Sequence, residues 1–121
     1  GRSKLMNILF TYELAQRLEG TGVTSNALHP GFVKTGFGSD SNSIQSKIIG
    51  FLQGLFGKSP DEGAETSVYL ASSPEVKGIT GKYWANKKQK QSNAASYDQE
   101  AQRRLWITSE LLTGLTKPTT T

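Results

Sequence analysis

From Ser3 to Glu19 the apolar residues Leu5, Ile8, Leu9, Tyr12, Ala15 and Leu18 recur at helical spacing, with Glu13, Gln16, Arg17 and Glu19 between them. This pattern predicts an amphipathic helix over 3–19. Gly20 and Gly22 supply the cap and turn, and Val23 to Leu28 then reads as a short strand that ends at His29-Pro30-Gly31. From Phe32 to Asn42 glycines and serines leave no period, as in a loop. Ile44, Ile48, Ile49, Leu52, Leu55 and Phe56 mark a short, strongly apolar helix flanked by glycines. Ser59-Pro60-Asp61-Glu62 is the clearest local signal: a Ser N-cap, Pro at the first helical position and a Glu that completes a capping box. The helix begun there runs through Ala64, Val68, Leu70 and Ala71. It stops before Ser73-Pro74, because the residue ahead of a proline avoids helical backbone. Gly78 to Trp84 predicts a turn and second strand, and 96–115 a C-terminal helix with Ala101, Leu105, Leu111, Leu112 and Leu115 on its apolar side. The polar end, Thr116 to Thr121, is expected to be loose.

Two strands joined by a long helical crossover pair in parallel, as in an α/β sheet. A parallel sheet is buried on both faces, so two strands give such helices too little to cover. The expected fold is therefore α/β and incomplete as a domain, and at 121 residues the chain holds one domain at most. With 35% hydrophobic and 20% charged residues it is too apolar for a disordered tail. Having no cysteine and one histidine, it has no disulfide or thiolate chemistry and no expected metal site. No run of about 18 apolar residues exists, and GRSKLMN lacks the apolar core of a signal peptide. Fourteen Lys and Arg against ten Asp and Glu give a net charge of +4, scattered except for Lys82, Lys87, Lys88 and Lys90. That cluster reads as a solvated loop, so no nucleic-acid partner is expected.

Ser3-Lys4-Leu5-Met6-Asn7-Ile8-Leu9-Phe10 resembles the segment after the catalytic tyrosine of short-chain dehydrogenases/reductases, whose signature is Tyr, three residues, then Lys. In that register the Tyr would stand immediately before Gly1. Asn26-Ala27-Leu28-His29-Pro30-Gly31-Phe32-Val33-Lys34-Thr35 is similar to the family's Pro-Gly turn after the sixth strand. Ser59 to Ala64 resembles the start of the helix before the last strand, and Gly78 to Trp84 that strand itself. Order and spacing agree over nearly the whole chain. The wording Ser-Lys-Leu-x-Asn-x-Leu-Phe, then Leu-His-Pro-Gly-x-Val, resembles the retinol dehydrogenase and WW-domain oxidoreductase branch. The resemblance makes residues 1–121 the C-terminal part of one NAD(P)-binding Rossmann-type domain: the last two strands of a doubly wound parallel sheet with their flanking helices. The glycine-rich nucleotide loop, the catalytic Ser, Asn and Tyr, and the residue that selects NAD or NADP would all lie upstream.

What the resemblance implies is hydride transfer between NAD or NADP and an alcohol or carbonyl, the substrate being lipophilic or retinoid-like. A Tyr and a Lys four residues apart share one helix face. A free phenol titrates near 10, and a neighbouring ammonium favours the phenolate, bringing it towards a working range. Lys4 would supply that charge and hydrogen-bond the nicotinamide ribose, as catalytic and cofactor-binding residue at once. In isolation it is an ordinary solvated lysine; the three further matches change that reading. Pro30 and Gly31 end a strand, where α/β proteins place ligands, and the resemblance puts Phe32 and Val33 at the nicotinamide amide and Thr35 at the amide or pyrophosphate, a cofactor turn over 29–35.

His29 has no acidic partner near it in sequence, and the family's proton donor is Tyr, so no catalytic role is expected of it. Residues 37–57 fit either ordinary core or a glycine-hinged lid over a lipophilic substrate. Leu105 and Trp106 read as packing or subunit contact. The chain by itself is expected to be inactive. The alternative is a non-catalytic truncated product or a protein-interaction module of the same fold. The same resemblance leaves room for a homo-oligomer, and for an intracellular site at the endoplasmic reticulum membrane reached through an upstream N-terminus.

Overall fold

The computed structural model describes residues 1–30 and 60–115. The expected loop, the apolar helix near 44–56, the lid over 37–57, the Ser59 cap and the 116–121 tail lie outside the described residues. Helix α1 spans Arg2–Arg17, α2 Pro60–Ser72 and α3 Gln99–Thr113. Strands β1 (Ala27–His29), β2 (Tyr83–Ala85) and β3 (Lys88–Lys90) form one sheet in the order β1-β2-β3. The chain divides into two compact units. The first is Gly1–Ala27, Gly78–Tyr83 and Gln89–Thr121; the second is Leu28–Lys77 with Trp84–Lys88.

In the first unit, the backbone N–H of Gly81 donates to Ser25 at 2.7 Å and that of Ala27 to Lys82 at 3.0 Å. Both segments advance together, so their pairing is parallel, as expected. The side-chain amide of Asn26 locks the register, donating to the carbonyl of Ile79 at 2.8 Å and accepting from the N–H of Lys82 at 3.1 Å. Gly81 sits at φ +68, where a Cβ would lie 3.4 Å from that of Ala15, so only glycine lets this turn lie against α1 without strain. Leu9, Tyr12 and Ala15 form the buried stripe of α1. Along its flank Phe10 stacks on Trp106 of α3 at 5.0 Å, the guanidinium of Arg17 lies 4.7 Å from the same indole, and Trp106 Nε1–H donates to Glu110 at 2.7 Å. Trp106 is thus a packing residue.

The second unit holds α2, which stops at Ser72 as the Ser73-Pro74 signal requires. Pro74–Val76 then form a 3-10 turn capped by Ser73. Tyr69 of α2 meets the buried Trp84 edge-on at 6.0 Å, and the buried Thr66 accepts the N–H of Lys87 at 3.1 Å.

Four expectations change. The sheet has a third strand and is mixed, not the two parallel strands expected. Asn86 (φ 51) and Lys87 (φ 59) take the left-handed backbone of a two-residue hairpin turn, which folds Lys88–Lys90 back beside β2. The lysine cluster read as a loop is therefore a hairpin. The first strand is three residues instead of six, since Ser25 and Asn26 engage the neighbouring turn through side chains as much as backbone. The last helix begins at Gln99, not near Ser96, because Asp98 accepts from the N–H groups of Glu100 and Ala101 at 3.0 and 3.1 Å. It ends on Gly114 in the left-handed conformation, before Leu115.

Candidate functional site

Lys4 lies in the first described turn of α1, on the line of the helix that continues through Ile8 to Tyr12. Ile8 and Tyr12 turn inward, while Lys4 is exposed. Lys4 borders a cleft of about 270 Å³ with Gly1, Leu5, Ile8, Tyr83, Gln91, Ser92 and Asn93. No carboxylate lines this cleft, and Lys4 makes no ion pair among the described residues. Beside it stand hydroxyl and amide groups able to meet other hydroxyls, and an apolar floor from Leu5 and Ile8.

Pro30 follows β1 directly and is exposed, as a residue at the carboxyl end of a strand should be. His29, the last residue of β1, is exposed too. Gly31, Phe32, Val33 and Thr35 lie outside the described residues. Among the described residues no three His, Cys, Asp or Glu side chains gather as metal ligands, and no helix is long and apolar enough to cross a membrane.

A polar network that the sequence reading missed links α1 to the segment before α3. Tyr12 Oη and Ser92 Oγ share a hydrogen bond of 2.6 Å, and Ser92 Oγ and Ser96 Oγ one of 2.5 Å. Ser96, fully buried, also donates to the carbonyl of Asn93. Ser92 N–H donates to Tyr97 Oη at 3.0 Å, and the two tyrosine rings stack 5.5 Å apart. The two phenols are driven apart: burial raises the pKa of Tyr12, whereas hydrogen bonds from Ser92 hold that of Tyr97 below its ordinary value. The available signal was Ser92-Asn93 and Ser96, polar residues that favour short capped turns over helix interiors.

Gln102 closes the network, its Nε2 donating to the Ser96 carbonyl at 2.8 Å while its Oε1 accepts from Gln16 at 3.1 Å. In the full-length protein Gln102→Leu is expected to cost about 1–3 kcal/mol, because it leaves a buried carbonyl without its donor. The shift of the urea midpoint measures this; an unchanged midpoint would show that the carbonyl is solvated.

No family model matches the chain. Its sequence is 48% identical to human "Retinol dehydrogenase 14" over 118 residues, which is 96% of this chain and 35% of that protein. It is 41% identical to human "Polyprenol dehydrogenase" over 119 residues (94% and 35%) and 40% identical to the "WW domain-containing oxidoreductase" of Pongo abelii over 115 (92% and 27%). The chain spans about a third of the length of the curated relatives it matches. Over nearly all of its own length the chain is similar to proteins named retinol dehydrogenase, polyprenol dehydrogenase and WW domain-containing oxidoreductase.

Proposed function

We propose that this chain is the C-terminal third of an NAD(P)-dependent short-chain dehydrogenase/reductase that interconverts a lipophilic alcohol and its carbonyl. The observation that carries the reading is Lys4, an exposed ammonium on the first described turn of α1 with no ion pair among the described residues, bordering a carboxylate-free cleft; the resemblance to the Tyr-x-x-x-Lys signature supports its assignment as that lysine. Its role is to favour the phenolate of the preceding tyrosine and to hydrogen-bond the ribose hydroxyls of the cofactor. A bound nicotinamide would donate the hydride in carbonyl reduction and accept it in alcohol oxidation. Pro30 ends the strand, and Gly31, Phe32, Val33 and Thr35 are assigned by resemblance to the turn that holds the nicotinamide amide. The substrate class is a long apolar alcohol, since two of the relatives are named for retinol and polyprenol.

Calorimetric titration with NADPH and with NADH tests the division of labour. The full-length protein should bind one of them in the micromolar range, and that choice identifies the cofactor. The 121-residue chain by itself should bind neither with useful affinity, as the phosphate-cradling glycine loop would lie upstream. Micromolar binding by the chain alone would overturn the proposed placement of the cofactor site.

A further inference from the structure

A second cleft, of about 380 Å³, lies between the turn leading into β2, the end of β3 and the segment before α3, all within the first unit. Lys82, Tyr83, Gln89, Lys90, Gln91 and Tyr97 border it, together with Tyr12 and Gly81. Its lining is one-sided: two lysines, two glutamines and three tyrosines contribute to it, and no Asp or Glu does. Neither Lys82 nor Lys90 forms an ion pair among the described residues, whereas Lys87 in the same cluster is paired with Glu65 at 3.7 Å. Lysines on an edge strand commonly serve to prevent pairing with another chain, and that accounts for Lys88. It does not account for Lys82, which comes from a different segment and meets Lys90 on one cleft.

The scaffold around the cleft is ordered from within. Tyr97 is held by the backbone N–H of Ser92 and stacked on Tyr12, and the Lys82 backbone is pinned by Asn26. We propose that this cleft binds a phosphate group, with Lys82 and Lys90 as its counter-charges and Gln89, Gln91 and Tyr97 as further donors. The phosphate is either free or presented by a lipid headgroup. The cleft adjoins the one that Lys4 borders, sharing Tyr83 and Gln91 with it, but of the two Lys82 and Lys90 line only this one, and the inference does not rest on the oxidoreductase reading.

The test uses the full-length protein with saturating NADPH and NADH, so that dinucleotide sites are filled. The probes are inorganic phosphate, followed by calorimetry, and phosphatidylcholine vesicles with or without phosphatidic acid, followed by co-sedimentation. Lys82→Gln with Lys90→Gln should weaken whichever probe binds by roughly ten- to a hundredfold, the loss expected when charge-assisted hydrogen bonds are removed. Lys77→Gln with Lys88→Gln, an equal change of charge outside the cleft, should leave binding within about twofold, as surface charges there act only through screened fields. Binding of phosphate without acid-dependent sedimentation identifies a free anion as the ligand. Sedimentation that needs phosphatidic acid and is lost in the cleft variant identifies a headgroup. Equal losses in both double variants, or binding of neither probe, would overturn the proposal. The thermal midpoints of the single variants Lys82→Gln and Lys90→Gln show whether a loss of binding reflects the cleft or the fold.

Discussion

Lys4→Ala in the full-length protein is expected to lower kcat by about a hundredfold or more and to move the pH optimum upward. The size follows from the proposed role, because positioned proton transfer contributes roughly 10²–10⁴-fold to a rate. The direction follows from charge. An ammonium beside a phenol favours the phenolate, so its removal raises the phenol pKa. In alcohol oxidation, where the phenolate takes a proton, the rising limb of the profile moves to higher pH. In carbonyl reduction, where the phenol gives one up, the falling limb moves the same way. Lys4→Arg should recover little, since a planar guanidinium cannot occupy the place of a compact ammonium. Lys4 is exposed and makes no ion pair among the described residues, so the urea midpoint should shift by no more than about 0.5 kcal/mol. A large kinetic loss with an unchanged midpoint separates the catalytic role from a structural one. Wild-type turnover across pH in the alanine variant would remove Lys4 from the mechanism.

Elements written in strong local chemistry were legible from the sequence. The stripe Leu9-Tyr12-Ala15 places α1 to within two residues, and Ser73-Pro74 stops α2 where it should stop. What escaped was chemistry without a strong local signature. The β2–β3 turn uses Asn86-Lys87, and without a glycine its left-handed backbone is hard to foresee; four clustered lysines then looked like solvent-facing loop. Ser96 resembled a helix start, and only the partnership with Ser92, Asn93 and Gln102 makes it a buried hydroxyl ahead of the helix that Asp98 caps. The candidate site divided in the same manner. Lys4 is singled out by a motif, and the structure adds the cleft and a charge without an ion pair among the described residues. The Lys82–Lys90 cleft comes from pairing segments that the sequence does not mark as neighbours.

Trp84→Ala should cause the largest stability loss, about 3–5 kcal/mol in the full-length protein, as expected when a large buried aromatic is truncated. Trp84 is only 4% exposed, and in the second unit its ring meets Tyr69 edge-on. Trp84 is also peculiar: its indole Nε1–H is buried and finds no acceptor among the described residues. A buried donor without a partner costs about 1–3 kcal/mol, so the native residue contributes less than its area alone implies. Trp84→Phe isolates that cost, because it keeps an aromatic ring beside Tyr69 while removing the N–H. The volume lost in going to Phe destabilises and the release of the orphan donor stabilises. The two should nearly cancel, leaving Phe within about 1.5 kcal/mol of the native protein. Urea midpoints of the two variants against the native protein decide the matter. A phenylalanine variant as unstable as the alanine one would mean that in the full-length protein the indole N–H has an acceptor, and that Trp84 stands in the sheet for its hydrogen bond as well as its bulk.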